Sequence, residues 1–187
     1  MKFYKVSWEE LNKDCLELYK KIKHINFDRI LCISRGGLVW ARMFSDLLNI
    51  PVSHLTAISY TGIHQRKDVK ITELPNHGYL KNQVLLVVDE IGDHGKTLAA
   101  VNKFLKSIKI KKFYSLSPII REYTDPKPDF YLHIKKEWII FPYIIVYNAG
   151  LMVKNIFFGA EKSGKKLHAL LFENLSYFLI LVKKLML

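Results

Sequence analysis

The chain has 187 residues, of which half are apolar and a quarter are charged. This composition is typical of a globular protein and excludes a disordered chain or a membrane bundle, because no apolar run reaches the roughly 18–20 residues of a spanning helix. The net charge of +12 leaves two interpretations open: a plain solvated surface, or a surface that binds nucleic acid or an anionic substrate.

The N-terminus and the cysteines indicate the compartment. The first residues, MKFYKVSWEEL, lack the basic and then apolar segments of a signal peptide. Cys15 and Cys32 have no metal-ligand spacing, and their positions imply no disulfide. We therefore expect a cytoplasmic protein.

The first part of the chain alternates between helical and strand patterns. Ser7 and Glu10 form a capping box, and apolar residues then recur at helical spacing as far as Ile22. Short apolar runs bounded by turn residues indicate strands, and a second helical pattern closes before Pro51. The predicted elements after the first helix are a strand at Arg29–Ser34, a helix at Leu38–Asn49 and a strand at His54–Tyr60.

The second part continues this alternation after a polar segment. Residues 61–77 are rich in turn formers and predict a mobile loop with a short strand inside. Val84–Val88 is the strongest strand, since five apolar residues in a row are too few for a helix. We then expect a turn at Ile91–Gly95, a helix at Thr97–Ile108, a strand at Lys112–Ser117, a loop at Asp125–Asp129 and a strand at Trp138–Phe141. Continuous apolar strands that alternate with helices predict an α/β fold whose mostly parallel sheet is covered on both faces.

Two acids follow the strongest strand directly. Asp89 and Glu90 lie where open parallel sheets place their ligands, at the carboxyl end of a strand. Adjacent carboxylates suit the hydroxyls of a ribose or a hydrated Mg²⁺. The plain alternative is that the acids cap the next helix or meet a lysine.

Asp93–Thr97 is a turn that leads into a helix. Backbone N–H groups, the Thr97 hydroxyl and the helix dipole form a seat for a phosphate group. The ending Gly-Lys-Thr resembles the Walker A loop, but that motif requires glycine at position 90, where this chain has Glu90. A carboxylate would repel the phosphates, so a nucleoside triphosphate loop is excluded.

A second glycine turn, Ser34-Arg35-Gly36-Gly37, also follows a strand. Arg35 supplies a planar cation, and the glycines allow the backbone to approach a ligand closely. Two such turns on neighbouring strands could hold two separate phosphate groups.

These motifs resemble a known family. VLLVVDEIGDHGKT (residues 84–97) is similar to the phosphoribosyl pyrophosphate motif of type I phosphoribosyltransferases, and the closest resemblance is to the small bacterial xanthine-guanine and hypoxanthine enzymes. ISRGGL, ISYTGIHQR and EWIIFPY extend the resemblance over about residues 4–143. The resemblance implies the type I phosphoribosyltransferase fold, with a central mostly parallel sheet flanked by helices.

The resemblance also implies how the sugar diphosphate is held. Arg35 and Gly36 would bind pyrophosphate through a strained peptide bond, for which the cis form is one alternative. Arg66, in the flexible loop, would close over the pyrophosphate. Asp89 and Glu90 would hold the ribose hydroxyls and Mg²⁺, the expected cofactor. The implied phosphoribosyl pyrophosphate site comprises Arg35, Gly36, Arg66, Asp89, Glu90, Ile91, Gly92, Asp93, His94, Gly95, Lys96 and Thr97.

Catalysis and purine recognition follow from the same resemblance. Asp93 would be the general base at the purine N7, and Arg66 would help to exclude water. Trp138 would stack on the purine and the backbone at Ile139 would read its edge, although core packing is an alternative role for the tryptophan. Where the family has a lysine at the purine O6, this chain has Arg121, which leaves the base preference open.

The implied function is transfer of phosphoribosyl from phosphoribosyl pyrophosphate to a 6-oxopurine, by a homodimer or homotetramer. The alternative is a non-catalytic regulator of the same fold that binds the same ligand or RNA. Residues 1–143 would form the catalytic domain. For residues 144–187 we predict no catalytic role and weigh a partner-binding helix against an unstructured or non-native extension.

Overall fold

The computed structural model describes residues 2–61, 64–110 and 112–144, which fall into two units: residues 2–8 with 137–144, and the rest of the described chain. The helices are α1 (Trp8–Ile22), α2 (Leu38–Leu48), α3 (His77–Leu80) and α4 (Lys96–Ser107). The strands are β1 (Phe3–Lys5), β2 (Arg29–Ser34), β3 (Val52–Thr61), β4 (His64–Ile71), β5 (Val84–Val88), β6 (Ile91–Gly92), β7 (Lys112–Leu116), β8 (Ile119–Ile120), β9 (His133–Ile134) and β10 (Trp138–Ile140). A 3₁₀ turn covers Pro142–Ile144.

The larger unit is built on a five-stranded sheet. Its strand order is β4-β3-β2-β5-β7, and every neighbouring pair is parallel except β3 with β4. The chain runs outward from β2 to β4 in one direction and from β5 to β7 in the other. The order therefore reverses between β2 and β5, and the crevice at the carboxyl ends of these two strands is where open α/β sheets bind ligands.

Both faces of this sheet are covered. Leu31 and Leu85 join a core that α4 completes with Val101 and Leu105. Their strand neighbours, such as Cys32, point to the other face and are equally buried. α4 packs on β3 and β4, and α2 packs on β2 and β3. The predicted α/β architecture is thus confirmed.

The polar segment 61–77 differs from the prediction. The structure contains an eight-residue strand, β4, where we expected a loop with a short strand inside. β4 pairs antiparallel with β3, from Ala57 opposite Ile71 to Thr61 opposite His64. β4 has a strand neighbour on one side only, so it does not need the continuous apolar run that marks β5. The polar composition of β4 explains why the sequence pattern did not predict its full length.

Two further differences concern short strands. Ile91–Gly92, predicted as part of a turn, is the strand β6, which pairs with β8 in a three-stranded parallel sheet that ends in β9. The predicted closing strand is β10, which belongs to the smaller unit and pairs in parallel with β1, Trp138 opposite Phe3. Pairings this short depend on distant partners, which local sequence does not reveal.

Helix α1 follows the predicted stripe, since Leu11, Cys15, Leu18 and Ile22 are all buried. The same helix buries one acid, Asp14, whose Oδ2 lies 2.9 Å from Nε2 of His133. Burial raises the pKa of Asp14, and the hydrogen bond from His133 opposes that rise. Across the described residues, none of the helices combines the length and apolar character needed to span a bilayer.

Candidate active site

The glycine turn after β2 lies tightly against the end of β5. A side chain at Gly37 would collide with the carbonyl oxygen of Val88, and a Cβ at Gly36 would lie 2.7 Å from Cδ of Glu90. The Ser34–Arg35 peptide is cis. The close approach explains the two glycines physically: it brings the backbone of one turn beside the acids of the next strand.

The acid pair after β5 has unusual electrostatics. Burial raises the pKa of Asp89 to about 7, and the neighbouring Glu90 carboxylate adds to the rise. The Glu90 backbone N–H donates to Oδ1 of Asp89 at 2.8 Å and partly compensates. Two crowded carboxylates of this kind favour a cationic or multiply hydroxylated ligand, because either would relieve their repulsion.

The turn into α4 is shaped by Gly95. This residue has a φ of 77°, in the left-handed region, and a Cβ there would collide with the Asp125 carbonyl. α4 begins at Lys96, so the first N–H groups of the helix have no intrahelical acceptor. Such groups bind anions well, and here they follow directly on Asp93 and His94.

The two turns and the acid pair enclose one cavity of about 190 Å³. Residues at the carboxyl ends of β2 and β5 line this cavity, which therefore lies where the strand order reverses. Its predicted site residues are Arg35, Gly36, Asp89, Glu90, Ile91, Gly92, Asp93, His94, Gly95, Lys96 and Thr97, and further lining comes from residues such as Ala57, Ser117 and Pro126.

Asp93 is held by a short turn that follows β8. The Tyr123 hydroxyl donates to Oδ1 of Asp93 at 3.0 Å, and Nε of Arg121 lies 3.5 Å from the same oxygen. The Thr124 hydroxyl lies 2.6 Å from the Gly92 carbonyl oxygen and 2.7 Å from that of Asp93. The turn thus fixes both the carboxylate and the backbone of Asp93.

Comparison with known proteins agrees with this geometry. The family model for the phosphoribosyl transferase domain matches residues 7–143. The chain belongs to this family. The phosphoribosyltransferase resemblance expected from the motifs is therefore confirmed.

Individual relatives of this phosphoribosyltransferase support the same placement. It is 34% identical over 147 residues to the xanthine-guanine phosphoribosyltransferase of Idiomarina loihiensis, covering 74% of this chain and 84% of the relative. The Helicobacter pylori xanthine-guanine-hypoxanthine phosphoribosyltransferase structure is similar with a TM-score of 0.68 and 32% identity, covering 78% and 96% of the two chains. A purine phosphoribosyltransferase from Pyrococcus horikoshii aligns with a TM-score of 0.67 and 28% identity, covering 76% and 95%.

Four predicted site residues of this phosphoribosyltransferase lie outside the described lining of the cavity or cannot be compared with it. The backbone of Arg66 lies in β4, and its side chain is outside the described part of the structure. Nη1 of Arg121 donates to the Lys135 carbonyl at 2.8 Å, in addition to its approach to Asp93. Trp138 and Ile139 belong to the smaller unit, where the tryptophan is 43% exposed. Their ligand roles stay predictions.

Sequence reasoning did not identify Tyr123 and Thr124 as members of the site. Their contacts with Asp93 join residues 30 and 31 positions apart, so no local spacing reveals them. Ser117 and Pro126 were missed for the same reason. The position of Ser117, directly after the strand β7, was the one available signal.

Proposed function

We propose that this phosphoribosyltransferase transfers the 5-phosphoribosyl group from phosphoribosyl pyrophosphate to N9 of a 6-oxopurine, giving the nucleoside monophosphate and pyrophosphate. The observation that carries the proposal is the single cavity that brings together the Arg35–Gly36 turn, the Asp89–Glu90 pair and the helix N-terminus after Gly95. Those three features match the three parts of the donor: diphosphate, ribose and 5′-phosphate. The relatives named for xanthine, guanine and hypoxanthine support the choice of acceptor.

Each part of the donor meets a suitable group. The N–H groups at the start of α4 and the Thr97 hydroxyl bind the 5′-phosphate, since helix N-termini favour anions. Asp89 and Glu90 accept hydrogen bonds from the ribose hydroxyls. The Arg35 guanidinium and the Gly36 backbone bind the diphosphate, where a planar cation can make paired hydrogen bonds.

The acid pair also fits Mg²⁺. Both side chains offer oxygen ligands, which Mg²⁺ prefers, and a cation would relieve the repulsion that raises the Asp89 pKa. Glu90 and Asp89 would hold the metal, directly or through its water molecules. When bound, Mg²⁺ supplies positive charge that stabilises the leaving diphosphate.

The reaction needs a base that accepts a proton from the purine and groups that stabilise the negative charge of the leaving pyrophosphate. The N9 lone pair of the purine attacks C1′, the C1′–O bond breaks, and its electron pair leaves with pyrophosphate. The proton on the purine N7 passes to the Asp93 carboxylate. Arg66 closes over the diphosphate and helps to exclude water, and its positive charge stabilises the charge that develops on the leaving group.

Purine recognition is assigned to residues beyond the diphosphate half of the site. Trp138 stacks on the purine, since a base stacked on an aromatic ring gains roughly 1–3 kcal/mol in comparable nucleic-acid complexes. The backbone at Ile139 reads the purine edge, and Arg121 contacts O6. Residues 1–143 suffice for the reaction, and the active form is a homodimer or homotetramer.

A competition assay tests the proposed function. Hypoxanthine, guanine, xanthine and adenine are offered together with phosphoribosyl pyrophosphate and Mg²⁺, and the products are identified by mass. We expect monophosphates of one or more 6-oxopurines. Preference for adenine would contradict the acceptor class, and strongly salt-dependent RNA binding without turnover on any base would favour the regulator instead.

A further inference from the structure

Two side chains from the Arg121–Thr124 turn converge on one oxygen of the proposed base. The Tyr123 hydroxyl donates to Oδ1 of Asp93 at 3.0 Å, and Nε of Arg121 lies 3.5 Å from that oxygen. We infer that Tyr123 is a positioning residue, which holds the Asp93 carboxylate in the orientation that receives the N7 proton. The inference rests on the proposed function, because it takes Asp93 as the base.

The turn that carries Tyr123 is anchored to the backbone of its target. The Thr124 hydroxyl contacts the carbonyl oxygens of Gly92 and Asp93, and the Arg121 backbone N–H donates to the Gly92 carbonyl at 3.0 Å. The Arg121 N–H also lies 2.8 Å from the Thr124 hydroxyl oxygen. Because these bonds tie residues 121–124 to residues 92–93, the backbone on both sides of the Tyr123–Asp93 contact is fixed by hydrogen bonds, which favours a preorganised contact.

The positions relative to the cavity separate the roles. Asp93 lines the cavity, whereas Tyr123 and Arg121 are outside the set of described residues that line it. The contact that links the Tyr123 hydroxyl to the proposed reaction is its hydrogen bond to Asp93. A hydrogen bond from the Tyr123 hydroxyl and an ion pair with Arg121 on the same oxygen restrict the orientation of the Asp93 carboxylate.

Tyr123 is suited to remain a donor across the neutral range. Burial and the hydrogen bond to Asp93 both raise the pKa of its phenol, so the hydroxyl keeps its proton where the enzyme would work. Its ring contacts the His94 ring, with centroids 4.8 Å apart. The substitution Tyr123→Phe keeps that ring contact and removes the hydrogen bond alone.

Turnover of the full chain tests the role of the hydroxyl. In Tyr123→Phe we expect kcat to fall about 3- to 10-fold, as loss of one such hydrogen bond implies. The KM for phosphoribosyl pyrophosphate should stay unchanged, because the donor does not depend on the orientation of the Asp93 carboxylate. Tyr79→Phe is the matched control, since Tyr79 is similarly exposed, at 66% against 58% for Tyr123, and lies in α3. It should match the wild type.

A second measurement does not depend on turnover. The carboxyl resonance of Asp93 is compared by ¹³C NMR at one neutral pH in the wild type, in Tyr123→Phe and in Tyr79→Phe, and we expect its chemical shift to change in Tyr123→Phe alone. An unchanged resonance, or a kcat like that of the wild type, overturns the inference. If the wild type itself turns over no base, the proposed function fails; if it turns over and Tyr123→Phe equals it, only the inference fails.

Discussion

Two acidic regions lie along the same cavity and are built in opposite ways. Asp89 stands beside another carboxylate, its hydrogen bond comes from the adjacent backbone, and its pKa is raised to about 7. Asp93 accepts a hydrogen bond from the Tyr123 hydroxyl and lies beside the Arg121 guanidinium, and both residues belong to a turn distant in sequence. In the proposed function, a ligand would complete the first region, whereas the protein itself supplies the partners of the second. This difference supports the proposal that Asp89 and Glu90 bind and that Asp93 is the base.

The largest expected effect comes from removing the proposed base. Asp93→Asn should lower kcat by about 100- to 10,000-fold, the usual contribution of general acid–base catalysis, while the affinity for phosphoribosyl pyrophosphate changes little. Steady-state kinetics and isothermal titration with the donor measure the two quantities. Asp46→Asn, on the exposed face of α2, is the control for loss of one negative charge. Unchanged turnover in Asp93→Asn would remove the distinction between the two acidic regions.

The next effect concerns the backbone that presents Asp93. Gly95→Ala should destabilise the protein by at least about 2 kcal/mol, because alanine resists the left-handed conformation and its Cβ would strike the Asp125 carbonyl. Urea unfolding measures the change. Gly78→Ala is the matched control, since a Cβ at Gly78 meets only the Asn76 side chain at 3.2 Å. Equal stability of the two variants would contradict the tight packing of the Asp93–Thr97 turn.

A smaller, pH-dependent effect should appear at Asp89. Burial raises the pKa of Asp89 in the folded protein to about 7, well above that of an aspartate in the unfolded chain. Below the pKa of the unfolded chain, Asp89 is protonated in both the folded and the unfolded protein, and it costs no stability. As the pH rises towards 7, Asp89 ionises in the unfolded chain first, so the free energy of unfolding falls progressively. Asp89→Asn removes this penalty. It should therefore stabilise the ligand-free protein by about 1–2 kcal/mol at pH 8, less than full linkage because the carboxylate is partly exposed.

Thermal unfolding of Asp89→Asn and the wild type at pH 4 and pH 8 measures that difference. The stabilisation should be present at pH 8 and nearly absent at pH 4, while donor binding weakens at both. An equal gain at both pH values would show that the effect is not ionisation of Asp89. Asp46→Asn, on the exposed face of α2, controls for general effects of charge.

The smallest effect is expected from the C-terminal segment. A chain truncated a few residues after Tyr143 should keep the wild-type kcat and KM, because both acidic regions lie within residues 89–124. Steady-state kinetics of the two chains, with circular dichroism to verify folding, make the comparison. A large loss of activity in a folded truncated chain would refute the assignment of catalysis to residues 1–143.

Much of the fold was readable from local patterns. The bounds of β2 and β5 agree with the structure residue for residue, because strands buried on both faces must be continuously apolar. The extent of β4 could not be predicted, because an edge strand can be polar and then lacks the apolar pattern of a buried strand. The site divides in the same way: Asp89, Glu90 and Gly95 lie in one contiguous motif, whereas Tyr123 and Thr124 join it only through long-range contacts.

The sequence by itself determined the family, the parallel sheet and the two glycine turns that we propose bind phosphate, because each depends on residue type at short spacing. Only the tertiary structure decided that the two turns share one cavity and that Asp93 is held by the turn after β8. The physical reason is that the order of strands and the packing of loops depend on contacts between residues far apart in the chain. Which acid is crowded by a like charge and which is supplied with donors follows from those contacts.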